Sequence, residues 1–287
     1  MTAAVLLALA SGATWAIGMT VAKPVLRHID VLSYMFIRWL LVAPLALIYG
    51  LATGAFGFPS GYAVGMAALA GFLDSAIGGF LYLMAMERAP AYQTTTLAST
   101  APVWGVAMAI LILGEPLRWQ VLVAAILVVS GAYCLVGHRM HIREHLLGSL
   151  FALLTGFLWG FAETVPSKLA LEAGLPPAAL LFVFACSGFV TIAAGLPLLR
   201  SRFPRRMDAA GLRLTVLSGI CGAFLGWLFW LSALSLAPAS VISPIRGSTL
   251  VFALVYSILF LRERMSRTAL IGIALVCAGV VLVSTAG

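Results

Sequence analysis

The sequence predicts an all-α, polytopic membrane protein in which ten transmembrane helices form two inverted five-helix repeats. Three observations lead to this prediction: the composition, the lengths of the apolar runs, and a similarity between the two halves of the chain. Of 287 residues, 63% are hydrophobic and only 9% are charged, whereas a soluble domain carries roughly a quarter charged residues. Such a chain has too few polar side chains to cover a water-facing surface, so lipid is the expected solvent.

Ten apolar runs approach the roughly 20 residues that a helix needs to cross a bilayer. No run alternates with period two as barrel strands do, and every backbone polar group in lipid must be paired internally, so helices are predicted. The first run lacks a preceding basic segment and is predicted to be a retained helix, not a cleaved signal. The predicted spans are 2–22, 31–52, 62–86, 91–113, 118–136, 148–170, 177–199, 212–236, 239–261 and 267–285.

The basic residues in the connecting loops predict the orientation of the chain. One set of loops holds thirteen Lys and Arg residues, whereas the other set holds only Arg118 and Lys168. Because basic loops stay on the cytoplasmic side, both termini are predicted on the outer side. The expected location is the inner, or plasma, membrane of a bacterium. The net charge of +8 does not indicate nucleic-acid binding, since the cations are distributed over short gaps between helices.

The two halves of the chain are similar in sequence. GGFLYLMAMERAP at 78–90 aligns with GWLFWLSALSLAP at 226–238 with an offset of 148, and SGATWAIGMTV at 11–21 matches TGFLWGFAETV at 155–165 with an offset of 144. Because each unit has five helices, the second enters the membrane from the opposite side, as in secondary transporters that bind solute at the repeat interface. The predicted domains are repeat 1 (1–137), a basic cytoplasmic linker (138–147) and repeat 2 (148–287).

Two short signatures recur at the same place in both units. An Ala-Pro pair starts the fourth helix, at 89–90 and 237–238, and a Glu closes it, as Glu115 in LGEPL and Glu263 in LRERM. Over essentially its whole length the chain resembles the EamA family of the drug/metabolite transporter superfamily. The resemblance implies a basket of ten helices around a central solute, and the family includes bacterial exporters of amino acids, aromatic ones among them. The contexts of Glu115 and Glu263 differ, so the two ends need not behave alike.

Four charged residues fall inside predicted helices: Arg38, Asp74, Glu163 and Arg246. A charge at the bilayer centre costs roughly 2.5–3.5 kcal/mol on insertion scales, so each one is a candidate site residue. Estimated depths place Glu163 with Arg246 and, nearer the inner face, Arg38 with Asp74, which predicts two ion pairs that neutralise each other. The repeat equivalents of Glu163 and Arg246 are uncharged, which favours ligand recognition, with Arg246 binding a substrate carboxylate through its bidentate fork.

Polar and aromatic residues complete the predicted binding site. Pro244 interrupts helix nine beside Ser243, which either exposes backbone groups to the solute or only kinks the helix. Ser99 lies among hydroxyls that contact the solute or bond back to their own helix. Aromatic residues well inside the helices and at equivalent repeat positions favour cavity lining over an interfacial belt. The predicted substrate-binding residues are Trp15, Asp74, Tyr82, Ser99, Trp159, Glu163, Trp230, Ser243 and Arg246.

The predicted function is a secondary transporter that exports small organic metabolites by alternating access, with hydrophobic or aromatic amino acids as the first candidates. The chain has no Asn and only two Gln, which disfavours polyols and sugar nucleotides. Proton antiport requires a titrating carboxylate, at Asp74 or Glu163, whereas uniport or exchange requires neither. The main alternative is a lipid-handling protein or scramblase whose basic loops bind anionic headgroups. A non-transporting assembly partner is a third reading, which leaves the buried charges unexplained.

No enzyme, cofactor or metal centre is predicted. The sequence contains no HExxH, GxSxG or P-loop motif, and its four cysteines lack metal-ligand spacing. The expected partners are the solute and membrane lipid, without nucleic acid. A monomer is the simplest expectation, although Gly61 with Gly65 and Gly222 with Gly226 allow close helix packing within or between chains.

Overall fold

The computed structural model describes residues 1–136, 142, 144–199, 206–261 and 267–285. Half of the predicted linker 138–147 and the predicted helix-closing Glu263 therefore lie outside the described residues. The same holds for seven of the cations counted for the orientation: Arg139, Arg143, Arg200, Arg202, Arg205, Arg262 and Arg264.

The described chain is helical apart from an isolated β-bridge between Ile29 and Met207. Its helices are numbered α1 to α10. Repeat 1 contains α1 (Thr2–Val25), α2 (Val31–Ala52), α3 (Gly61–Arg88), α4 (Ala91–Ala98 and Ala101–Leu111) and α5 (Trp119–Val136). Repeat 2 contains α6 (Leu146–Glu172), α7 (Pro177–Leu199), α8 (Ala209–Leu236), α9 (Ala239–Ile242, Ser243–Gly247 and Ser248–Leu261) and α10 (Arg267–Ser284).

The described helices have the length and composition of membrane spans. Eight contain segments that are long and apolar enough to cross a bilayer, and α5 and α10 contain shorter apolar segments. This confirms the predicted all-α, polytopic architecture. The observed ends lie within a few residues of the predicted ones, because charged and Pro/Gly-rich gaps interrupt the apolar runs where the helices end.

Three of the described helices contain a π-helical or 3₁₀ segment. The segments Phe72–Gly78 of α3 and Ser218–Leu225 of α8 are widened π-helical turns at corresponding places in the two repeats. The predicted interruption of α9 at Pro244 is a 3₁₀ turn over Ser243–Gly247. Widened turns often mark functional sites, and the first of them contains Asp74.

Each repeat makes an equivalent contact with the other repeat. The Ser11 hydroxyl of α1 donates a 2.7 Å hydrogen bond to the carbonyl oxygen of Gly226 in α8. Its repeat equivalent, the Thr155 hydroxyl of α6, donates a 3.4 Å hydrogen bond to the carbonyl oxygen of Gly78 in α3. The tryptophan four residues after each donor packs closely against the same glycine. Helix α1 therefore packs on α8 as α6 packs on α3, the arrangement that a twofold pairing of the repeats produces.

A polar clasp joins the two repeats at the end of the bundle that is predicted to face the cytoplasm. The Asp30 carboxylate accepts hydrogen bonds from the backbone N–H groups of Ser33 and Arg206, at 3.0 and 3.1 Å. Nδ1 of His28 lies 2.8 Å from Oδ2 of Asp208. At the opposite end the contact is apolar: the ring centroid of Phe56 lies 5.6 Å from that of Phe182. The contacts between the repeats are thus polar at one end and apolar at the other.

Asp208 also caps α8. Its Oδ1 accepts a 2.7 Å hydrogen bond from the backbone N–H of Gly211. This bond, with a smaller contribution from the His28 ring, holds the pKa of the Asp208 carboxyl below its ordinary value. The stabilisation by this cap is therefore complete above pH 3.8, the ordinary value, and is lost as the pH falls through the lower folded-state pKa.

Glu115 caps the start of α9 from the other repeat, and its removal should be costly. Oε1 accepts a 2.7 Å bond from the N–H of Ala239 and Oε2 a 2.8 Å bond from the N–H of Ser240, whose hydroxyl also donates to Oε2. Hydrogen bonds to charged groups contribute about 1.5–3 kcal/mol each. We therefore expect Glu115→Ala to lower the free energy of unfolding in detergent by about 2 kcal/mol.

The matched control is Glu172→Ala. The Glu172 side chain is 58% exposed, and its ion-pair contact with Lys168 is long, at 4.0 Å. Such surface changes usually stay within about 0.5 kcal/mol. Equal losses for the two variants would contradict the capping role of Glu115.

Candidate functional site

A central cavity of about 90 Å³ lies between the repeats. Helices α1, α2 and α3 of repeat 1 and α6, α8 and α9 of repeat 2 supply its walls. A water molecule takes about 30 Å³ and ligand pockets usually span about 300–1,000 Å³. The described conformation therefore accommodates a polar head group or a few waters, and a complete organic solute requires the walls to move apart.

A second, larger pocket of about 560 Å³ lies beside the polar clasp. Its lining includes Glu87 and Arg88, whose side chains are 41% and 40% exposed. Charges this exposed are solvated and bind a ligand weakly. The central cavity, in contrast, is bordered by charges that the fold removes from solvent, and it is the better candidate site.

Glu163 and Arg246 form the predicted ion pair at the cavity wall. Nη2 of Arg246 donates a 2.7 Å hydrogen bond to Oε1 of Glu163, and its Nε lies 2.5 Å from Oε2. The side chains are only 3% (Glu163) and 14% (Arg246) exposed. The guanidinium carbon also lies 5.2 Å from each of the ring centroids of Trp15 and Trp159. In this conformation Glu163 therefore occupies the Nε–Nη2 edge of Arg246, the residue that the sequence predicts to bind a substrate carboxylate.

The predicted second ion pair, between Arg38 and Asp74 at a separate depth, is wrong. Both residues border the same cavity as Glu163 and Arg246, and no ion pair joins them among the described residues. Nε of Arg38 and Oδ2 of Asp74 are buried and have no hydrogen-bond partner in the described part of the chain. Axial depth estimated from the sequence does not specify the rotation of a helix, which decides whether two side chains meet.

Arg38 is held by aromatic faces instead of by a carboxylate. Its guanidinium carbon lies 5.9 Å from the ring centroid of Tyr34 and 5.4 Å from that of Trp39. Asp74 is 5% exposed, and its backbone carbonyl accepts a 3.3 Å hydrogen bond from Nε1 of Trp159. A guanidinium nitrogen and a carboxyl oxygen without a described hydrogen-bond partner thus belong to residues that border one small cavity.

Aromatic side chains form two layers around the cavity. Trp15, Trp159 and Tyr82 line it, and the Tyr82 and Trp159 ring centroids lie 4.9 Å apart. Trp230, predicted as a lining residue, stands behind Trp15 at a centroid distance of 5.4 Å and is 1% exposed. Its Nε1 donates a 3.3 Å hydrogen bond to the backbone carbonyl of Glu163. In this structure Trp230 therefore supports the wall without lining the cavity.

The two predicted serines also lie away from the cavity lining. The Ser99 hydroxyl donates a 2.6 Å hydrogen bond to the carbonyl oxygen of Thr95, the back-bonding alternative considered for this helix. Oγ of Ser243 lies 3.3 Å from Oγ1 of Thr164 and packs against Gly105. Both hydroxyls find their partners within the helix packing.

Several lining residues were not in the predicted site, including Tyr34, Trp39 and Thr249. Tyr34 precedes Arg38 by one helical turn, and residues four apart share a helix face. Thr249 follows Arg246 by three residues and shares its face in the same way. A search for polar or aromatic residues one turn from each buried charge would have found Tyr34 and Thr249.

Comparisons with known proteins agree with this architecture. Residues 2–137 and 146–285 each match the EamA-like transporter family. An uncharacterized transporter of Archaeoglobus fulgidus is 24% identical over 218 residues, which cover 75% of this chain and 73% of that protein. A crystal structure of another protein superimposes with a TM-score of 0.82 at 17% identity, over 100% of this chain and 98% of the other. At that identity, the structural likeness concerns the fold alone.

Proposed function

The chain belongs to the EamA-like transporter family and is a membrane transporter, and we propose that it exports small organic metabolites by alternating access, with hydrophobic or aromatic amino acids as its substrates. One observation carries the choice of substrate. The cavity between the repeats brings an unpaired carboxylate and an unpaired guanidinium together inside aromatic walls. That combination suits a small zwitterion with an apolar side chain.

The charge balance of the cavity supports a solute without net charge. Two anions, Asp74 and Glu163, face two cations, Arg38 and Arg246. An uncompensated charge in a membrane interior is costly, so a net cation or anion would disturb a site that is already balanced. A zwitterion adds one charge of each sign and leaves the balance unchanged.

The enclosed position of the polar groups favours a solute carrier over the alternative scramblase. A lipid-handling protein requires a polar groove that faces the membrane, whereas Asp74 is 5% exposed and the Glu163 side chain 3%. The two ends of the bundle carry separate contacts between the repeats, the polar clasp and the packing of Phe56 on Phe182. Opening one end at a time would give alternating access. Export as the direction rests on the family resemblance.

Counterflow in proteoliposomes tests this proposal. Vesicles that contain the purified protein and unlabelled L-tryptophan should accumulate labelled L-tryptophan or L-leucine well above protein-free vesicles, and should not accumulate labelled glucose. Repeating the assay with an imposed pH gradient separates proton antiport from uniport or exchange. Scrambling of a fluorescent lipid without amino-acid counterflow would refute the transporter of amino acids and favour the lipid-handling alternative.

A further inference from the structure

We propose that Asp74 and Arg38 together bind the head group of the transported amino acid, with Asp74 holding the ammonium group and Arg38 the carboxylate, while the Glu163–Arg246 pair is a structural part of the wall. This assignment rests on the proposed function and deepens it. It also moves the expected carboxylate contact from Arg246 to Arg38. Both assigned residues belong to repeat 1.

The argument begins with which charges are available. Arg246 already presents its Nε and Nη2 groups to Glu163, at 2.5 and 2.7 Å, and its guanidinium carbon lies 5.2 Å from each of the Trp15 and Trp159 ring centroids. Asp74 and Arg38 have no such partner among the described residues. A buried ionised group without a partner is costly. The two groups therefore gain most from a ligand that brings the opposite charges.

Arg38 is arranged to bind a carboxylate at its edge. Tyr34 and Trp39 lie near the guanidinium at 5.9 and 5.4 Å from the ring centroids to its carbon. Cation–π contacts of this kind stabilise the charge without using its N–H donors. Those donors remain for a planar, bidentate carboxylate, which is the geometry that arginine matches best. Gly222 of α8 lies beside the guanidinium, since a Cβ there would be in ordinary contact with Nη2 at 3.8 Å.

Asp74 is arranged to bind an ammonium group. The widened turn of α3 carries it, and the hydrogen bond from the Trp159 indole to its backbone carbonyl anchors this turn to α6. Its Oδ2 has no described partner, and Tyr82 and Trp159 line the same cavity. An ammonium group bound there meets a carboxylate and aromatic rings, which together favour a cation. The volume of about 90 Å³ suits a head group of this size.

Three ligands with the same ring distinguish the two contacts. L-Tryptophan carries both charges, tryptamine lacks the carboxylate, and indole-3-propionate lacks the ammonium group. In proteoliposomes the wild-type protein should transport L-tryptophan at least about tenfold better than either analogue, which corresponds to the loss of one charged contact. Arg38→Met should lower L-tryptophan transport by about tenfold and shift the preference towards tryptamine. Asp74→Asn should shift it towards indole-3-propionate.

Conservative variants keep the test valid if a substitution impairs folding. Arg38→Lys and Asp74→Glu retain the charges, so they should keep the zwitterion preference even where the rate falls. If Arg38→Met and Asp74→Asn lower transport of all three ligands equally, the two residues do not bind the head group and this assignment is refuted. Amino-acid transport by the wild type would still support the proposed function in that case. If the wild type transports none of the three, the proposed function itself fails.

Discussion

Arg246→Ala should lower the free energy of unfolding by about 3–5 kcal/mol, because removing one partner of a buried ion pair leaves the other charge uncompensated. Glu163 would lose a 2.7 Å hydrogen bond and a 2.5 Å ion-pair contact while its side chain is only 3% exposed. Trp15 and Trp159 would lose the cation between their rings. Equilibrium unfolding in detergent micelles measures the change.

A double variant separates the buried charge from the lost packing. Replacing Glu163 and Arg246 together by methionine removes both charges and keeps much of the volume, so it should be less destabilising than Arg246→Ala alone. Arg88→Ala is the control, since the Arg88 side chain is 40% exposed and the expected change is within about 0.5 kcal/mol. If Arg246→Ala is no more destabilising than Arg88→Ala, the pair is not a structural part of the wall.

Amino-acid transport should also fall in Arg246→Ala, because the Glu163–Arg246 pair forms part of the cavity wall. Unchanged L-tryptophan counterflow in this variant would contradict the proposed site. The double methionine variant should recover stability more fully than transport, since two methionine side chains do not reproduce the polar wall that the ion pair gives the cavity.

Gly71→Ala should be the second strongly destabilising change, with a loss of about 3 kcal/mol. A Cβ at Gly71 would lie 2.7 Å from Cα and 2.8 Å from the carbonyl carbon of Phe184, where α3 crosses α7. These are backbone atoms, so no side-chain rotation relieves the clash and the two helices must separate. The measurement is again unfolding in detergent.

The matched control lies in the same helix. No described heavy atom comes within 4 Å of a Cβ placed at Gly65, and alanine is favoured over glycine in a helix by up to about 1 kcal/mol. Gly65→Ala should therefore be neutral or slightly stabilising. A similar loss in both variants would show that the effect reflects helix propensity or insertion and not the contact between α3 and α7.

The two glycine pairs noted in the sequence show how far the spacing of small residues predicts helix packing. Gly222 and Gly226 do permit close packing within the chain, against Gly18 and the Trp15 ring. Gly61 and Gly65 have no described neighbour within 4 Å of their Cβ positions. The same spacing of small residues thus has two outcomes, because the rotation of the helix determines whether the small face meets a partner.

The functional site, too, could be predicted from the sequence only in part. The identities of the four charges in the cavity could be read from the sequence, since charged residues inside apolar runs are rare and conspicuous. Only one of the two predicted pairings is present, because a pairing depends on helix rotation and tilt to within a few ångströms. Three residues chosen for their chemistry have other partners: the Ser99 hydroxyl bonds back to its own helix, Ser243 of α9 contacts Thr164 of α6, and Trp230 of α8 donates to α6.

By itself the sequence determined the all-α architecture, the ten spans and their division into two repeats, since hydrophobic length and internal similarity depend on residue order alone. Only the tertiary structure decided which of the two predicted ion pairs forms, that Arg38 and Asp74 border the same cavity without pairing, and that Glu115 of one repeat caps a helix of the other. Those contacts join residues far apart in the chain, and their geometry is set by how helices rotate and cross when they pack.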